Sequence, residues 1–229
     1  RRQRQMCIRD SSSAVINFKQ YLKDHIKFRK THKHINKANE VLSLLIEAEG
    51  LELSETELLH QCIFMLNAGH ETSTNMLSHG LNELINHRDQ YKSLQKEPGR
   101  IDTAIDEILR FQPPIQINNR RCLEKTKLGD VVVPEGTSVH MIIAGANRDP
   151  LQFFKPETFD ISRSPNRHLS FGLGIHICAG INLARVEAKV AFQSLMSSFR
   201  EINLLKKPKV ANRIRFREIK EMQIEISPF

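Results

Sequence analysis

Apolar residues recur at intervals of three and four over most of the chain, and strand-like runs are confined to a middle region and the tail. Val15, Ile16, Phe18, Leu22 and Ile26 predict an amphipathic helix from Ala14 to about His34, with a basic outer face. Val41, Leu42, Leu44, Leu45 and Ile46 predict a second, from about Lys37 to Ala48. Ser54-Glu55-Thr56-Glu57 combines an N-cap residue with acids in the first turn and opens a long helix reaching about His87. Its middle, Ile63 to Ala68, is apolar on most sides, which predicts a buried helix. Helices over Arg88–Gln95 and Ile101–Phe111 follow, split by Pro98-Gly99, and Pro113-Pro114 ends the second. Strands are expected over Ile115–Cys122, Val131–Val133 and Val139–Ala144. Apolar positions from Ile181 to Phe192 predict a last helix ending near Phe199, and Ile214–Arg217 and Met222–Ile226 alternate as closing strands. Arg1 to Ser13 shows neither period, so the domain is expected over 14–229 behind a non-native or disordered leader. The expected class is mainly α with small β regions.

Three polar features interrupt this pattern. Phe171-Gly172-Leu173-Gly174-Ile175-His176-Ile177-Cys178-Ala179-Gly180 places one cysteine in a glycine-punctuated loop that runs straight into the last helix. Unpaired N–H groups at a helix start stabilise an anionic sulfur, the form that binds a metal, and Gly172, Gly174 and Gly180 permit close backbone approaches. Ala68-Gly69-His70-Glu71-Thr72-Ser73-Thr74 sets small residues, an acid and hydroxyls inside the long helix, where they are costly unless used. Glu107 and Arg110 share one helical face at i, i+3, in themselves an ordinary salt bridge.

In this order the three features resemble signatures of the cytochrome P-450 family: Phe-x-x-Gly-x-x-x-Cys-x-Gly as the haem-thiolate loop, Gly-His-Glu-Thr as the oxygen-activation groove, and Glu-x-x-Arg between them. Ala146-Asn147-Arg148-Asp149-Pro150 and Gly-Ile-His-Ile-Cys resemble soluble bacterial members. The resemblance implies haem b with Cys178 as the iron ligand and Phe171, Gly172, Gly180, Ala68 and Gly69 against the cofactor. It implies Glu71 and Thr72 as the proton-delivery pair. It makes Glu107, Arg110 and Arg163 a structural ion network. His176 would contact a propionate, as would Arg120, with the adjacent Arg121 as the alternative. His168 would be structural on the same side. Ala68, Gly69, Ile115, Ile117 and Ile142–Ile143 would line the substrate pocket. The implied reaction is monooxygenation of a small apolar organic molecule with dioxygen and electrons from a ferredoxin- or flavodoxin-type protein, docked on a basic rim of Arg167, His168 and Arg185. Family chains are longer, so the resemblance also implies that this is the C-terminal portion of the fold, with the N-terminal half missing.

Composition narrows the alternatives. The formal net charge of +8 could attract nucleic acid, but the basic residues are spread out, and two Tyr with no Trp leave little to stack bases. No run of about 18 apolar residues suggests a membrane span. Cys7, Cys62, Cys122 and Cys178 lack metal-finger or disulfide-framework spacing, which points to a reducing, cytoplasmic compartment. Two other classes remain: a haem-binding fragment without turnover, and a helical interaction module with a free Cys178. A peroxide-driven variant fits less well, because Glu71-Thr72 suits dioxygen.

Overall fold

The computed structural model describes residues 2–32 and 40–229. They form two compact units, one ending at His70 and one from Glu71 to Phe229.

The first unit holds α1 (Arg2–Thr31), α2 (Val41–Ala48) and the start of α3 (Glu55–Asn86). Leu22 and Ile26 of α1 and Leu58, Leu59 and Cys62 of α3 make its small core, with Leu42, Leu45 and Ile46 packed alongside. Helix α1 takes in the stretch up to Ser13 that was expected to stay outside the fold. Its polar composition carries no apolar stripe there, so periodicity could not register it, although Arg, Gln and Met are good helix formers. The predicted boundaries at His34 and Lys37 lie outside the described residues. The capping box at α3 forms as read: Ser54 donates its N–H and hydroxyl to Glu57 at 2.9 and 2.7 Å, and the Glu57 N–H donates back to Ser54 Oγ at 3.3 Å.

The middle of α3 departs from expectation. Phe64, Met65 and Leu66 are 65, 44 and 51% exposed. The apolar stretch exists, but a helix is buried only by what packs on it, and nothing among the described residues covers this part.

The second unit is built on the later part of α3, α4 (Arg88–Lys96), α5 (Ile101–Phe111) and α7 (Ile181–Ser198). Met76, Leu84, Leu94, Ile105, Ile108, Phe192 and Met196 form its core. Gly80 permits the close packing of these helices, since a Cβ there would stand 2.6 Å from Phe192 Cζ and 2.9 Å from Ile108 Cγ2. Four two-stranded antiparallel sheets flank the helices: β1 (Ile117–Arg121) with β4 (Ser138–Ile142), β2 (Thr126–Leu128) with β3 (Val131–Val133), β5 (Phe199–Leu204) with β8 (Ile224–Pro228), and β6 (Lys209–Val210) with β7 (Ile219–Glu221). The predicted strand over 139–144 stops at Ile142, where a short helix α6 (Ile143–Ala146) begins. Ile214–Arg217 is not a strand; it lies in the loop joining β6 to β7. There the apparent alternation comes from Arg side chains exposed between two hydrophobes, without a partner strand to extend the ladder.

Candidate functional site

The cysteine loop is fixed at its entrance before it reaches the sulfur. Asn147, fully buried, accepts a hydrogen bond from the Leu169 N–H at 2.8 Å and donates to Ser170 Oγ at 3.0 Å. Ser170 Oγ donates in turn to the Leu109 carbonyl of α5 at 2.6 Å. The loop then turns at Gly172 and Gly174, both at φ +74°, a conformation that a β-carbon would strain. The Cys178 N–H closes back on the Phe171 carbonyl at 2.8 Å, immediately before α7. Cys178 is a free, exposed thiol. A Cβ at Gly180 would stand 3.9 Å from the sulfur, so a longer side chain there would crowd its face.

Behind this loop lies the ion network. Arg110 grips Glu107 with two hydrogen bonds, Nε to Oε2 at 2.7 Å and Nη2 to Oε1 at 2.8 Å, and both side chains are fully buried. Arg110 Nη1 also donates to the carbonyls of Asn147 and Pro156, at 2.9 and 2.8 Å. Arg163 Nε reaches Glu107 Oε2 at 3.1 Å, joined there by Asn166 Nδ2 at 3.1 Å, while the Asp160 N–H donates to Oε1 at 2.9 Å. The carboxylate is thus surrounded by donors, as a buried charge requires. Sequence reading names Glu107, Arg110 and Arg163. It misses Asn147, Ser170, Asn166 and the Asp160 amide, because backbone and amide partners leave no charge pattern to find.

The remaining predicted residues fall as follows. Ala68 and Gly69 are exposed, and a Cβ at Gly69 would meet nothing within 4 Å. Glu71 and Thr72 are partly buried; Glu71 Oε1 accepts from Arg213 Nη1 at 3.3 Å. Ser73, next along α3, donates to Glu187 of α7 at 2.7 Å, joining the two helices. Ile115 and Ile117 are half-buried at the start of the β1 region, and Arg120 and Arg121 are exposed on it. Successive strand residues face opposite ways, so these two arginines serve different surfaces. His176 is exposed in the turn before Cys178. The His168 side chain is 4% exposed and faces Asp106 at 3.4 Å, so it is withdrawn from the expected basic rim. Arg185 pairs with the same Asp106 at 2.7 Å, which offsets part of its charge.

Does this surface fit a haem? Leu173, Ile175 and Ile177 are 78, 95 and 51% exposed around a single thiol, and Arg120, Arg121 and His176 are available as exposed polar and cationic groups. A flat apolar ligand with anionic substituents and one sulfur bond matches that set. Among the described residues no three His, Cys, Asp or Glu side chains group to hold a metal ion by themselves. The residues fit the group. No helix among the described residues is long and apolar enough to cross a membrane.

The thiol thus sits at the head of a helix, on a loop tied through Asn147 and Ser170 to the helix of Glu107 and Arg110. The cytochrome P450 family profile matches residues 5–216, and the chain belongs to that family. It is 38% identical over 185 residues to the biotin biosynthesis cytochrome P450 of Bacillus subtilis, a match covering 80% of this chain and 46% of that protein. It is 37% identical over 201 residues to the polyketide biosynthesis cytochrome P450 PksS of Bacillus subtilis, covering 86% of this chain and 49% of the other. Among solved structures it superposes on P450BioI in complex with hexadec-9Z-enoic acid ligated acyl carrier protein with a TM-score of 0.87, at 35% identity over 93% of this chain and 54% of that one. The chain therefore spans about half the length of the relatives it matches. Its mainly helical structure with small sheets is part of the P450 fold.

Proposed function

We propose that this chain carries the cysteine half of a haem-thiolate monooxygenase acting on a small apolar organic substrate. The observation that carries the reading is the exposed Cys178 thiol at the start of α7, on a loop bonded through Asn147 and Ser170 to the Glu107–Arg110 helix. Cys178 Sγ would bind the iron. Phe171, Gly172 and Gly180 would lie against the ring. His176 and Arg120, or Arg121 in its place, would hold the propionates, a task that suits the bidentate fork of Arg. When bound, haem b supplies reductive activation of dioxygen, and a thiolate ligand favours O–O cleavage.

The chain's own residues orient and deliver protons. Thr72 Oγ1 would donate a hydrogen bond at the groove, and Glu71 would pass protons inward from solvent through Oε1. Glu107, Arg110 and Arg163 keep the loop rigid so that the sulfur holds its place. Ile115, Ile117 and the nearby Ile142 and Ile143 favour an apolar substrate, and an acyl chain like that carried in the P450BioI complex belongs to this class. Electrons would come from a ferredoxin- or flavodoxin-type protein docking near exposed Arg167. The free thiols Cys62, Cys122 and Cys178 suit a reducing cytoplasm.

A second reading is haem held without turnover. The deciding experiment is the absorption spectrum of the haem-loaded, reduced chain under carbon monoxide, followed by a product assay with an electron donor. A far-red-shifted Soret band that disappears in Cys178→Ala supports thiolate ligation, and product then separates the first reading from the second. A band of the histidine-ligated type, or no retained haem, would overturn both.

A further inference from the structure

The loop joining β6 to β7, from Ala211 to Glu218, is strapped along α3. Its base is closed by the Ala211 N–H donating to the Glu218 carbonyl at 2.8 Å. Its middle is held where the Gln116 N–H donates to the Arg215 carbonyl at 2.9 Å. Its far side is held by buried His79 of α3, whose Nε2–H donates to the Arg217 carbonyl at 2.5 Å. Glu71 lies eight residues before His79 on the same helix, about 12 Å along its axis at ~1.5 Å per residue. The strap bends at Ile214 and Arg215 and brings Arg213 opposite Glu71. There Arg213 Nη1 lies 3.3 Å from Glu71 Oε1 and 3.1 Å from Glu218 Oε2. One guanidinium nitrogen serves two carboxylates, one on the groove helix and one on the strap itself.

We propose that Arg213 is a positioning residue for Glu71, holding the proton-delivery acid through the strap and dividing its guanidinium between Glu71 and Glu218. The inference rests on the reading of Glu71 given above and extends it, because it ties the acid of α3 to a second element, the β6–β7 loop. Movement of Arg213 fully onto Glu218 releases Glu71; loss of Glu218 commits Arg213 to it.

The test is carboxyl labelling of the full chain with a carbodiimide and glycine ethyl ester, read residue by residue by mass spectrometry. In Arg213→Gln, Glu71 labelling should rise roughly two- to fivefold, the range an exposed ion pair supports. Labelling at Glu135, exposed elsewhere, should not change. Arg213→Lys should restore most of the protection, and Glu218→Gln should lower Glu71 labelling below that of the unaltered chain. Unchanged Glu71 labelling in Arg213→Gln, or no rescue by Lys, overturns the proposal. In the haem-loaded protein, Arg213→Gln should divert more electrons to peroxide per product formed, as Glu71→Gln should, and the double variant should add nothing. A rise in labelling with an unaltered peroxide fraction would make Arg213 a tether only and overturn its positioning role. Absence of the thiolate-type carbon monoxide band in the unaltered chain overturns the proposed function instead, and the labelling result then decides the matter of Arg213 alone.

Discussion

Two fully buried polar residues, Glu107 and Asn147, join the cysteine loop to the core by different means. Glu107 forms ion pairs with Arg110, itself at 0% exposure, and with Arg163, at 11%. Glu107→Gln leaves the Arg110 guanidinium buried without its counter-charge, and such losses cost about 3–5 kcal/mol. Urea unfolding should show the midpoint falling accordingly, with an unaltered midpoint counting against a structural role. Asn147 carries no charge, so its removal acts more locally. Asn147→Ala strands the Leu169 N–H and unties Ser170, at a cost of about 1–3 kcal/mol for a buried group left unsatisfied. Hydrogen exchange should then quicken across Leu169–Cys178, above all at the Cys178 amide that bonds to Phe171, while the α5 amides stay protected. Sequence patterning exposes Glu107 and Arg110 because charge at helical spacing is visible. Asn147 is visible only as a residue in a loop, since its partners are a backbone amide and a hydroxyl.

Elements with a stripe or a cap were legible; elements defined by a partner were not. The bounds of α4, α5 and α7 agree with the apolar spacing to within a residue or so, and the Ser54–Glu57 cap sits where predicted. By contrast β5 follows α7 directly, without a breaker, and is defined by pairing with the distant β8. Strand β2 is three exposed residues that exist because β3 folds back on them. The cap also predicts an acid response. Hydrogen bonds from the Ser54 N–H, and then from its hydroxyl, hold the Glu57 carboxyl below its ordinary value of 4.5. A lowered folded-state value contributes stability above the ordinary glutamate range and loses it as pH falls through the folded value. The start of α3 should therefore fray on acidification below about pH 4.5. Circular dichroism of Glu57→Gln, which keeps the shape without the titration, should show a flatter acid limb; an identical limb would place the acid response elsewhere.

Across each unit, burial was the least legible property, because it depends on what else is present. Phe64, Met65 and Leu66 form an apolar stretch that reads as core and stands exposed. In the second unit Leu183, Val186 and Val190 recur at helical spacing on α7 and are 64, 56 and 61% exposed. A contiguous exposed apolar surface of this kind marks a place for a ligand or another protein surface. These α7 side chains do little for the stability of the chain itself, since their opposite face, through Ala188, Phe192 and Met196, makes the core contacts. Replacing them with Leu183→Lys, Val186→Glu and Val190→Lys should lower the fluorescence of a bound apolar dye. The thermal midpoint should stay nearly constant, because surface substitutions away from buried contacts usually shift stability little. Unchanged dye binding would place the accessible patch elsewhere. A large fall in the midpoint would show that something covers this face in solution, and a matching change in sedimentation would identify a second copy as that cover.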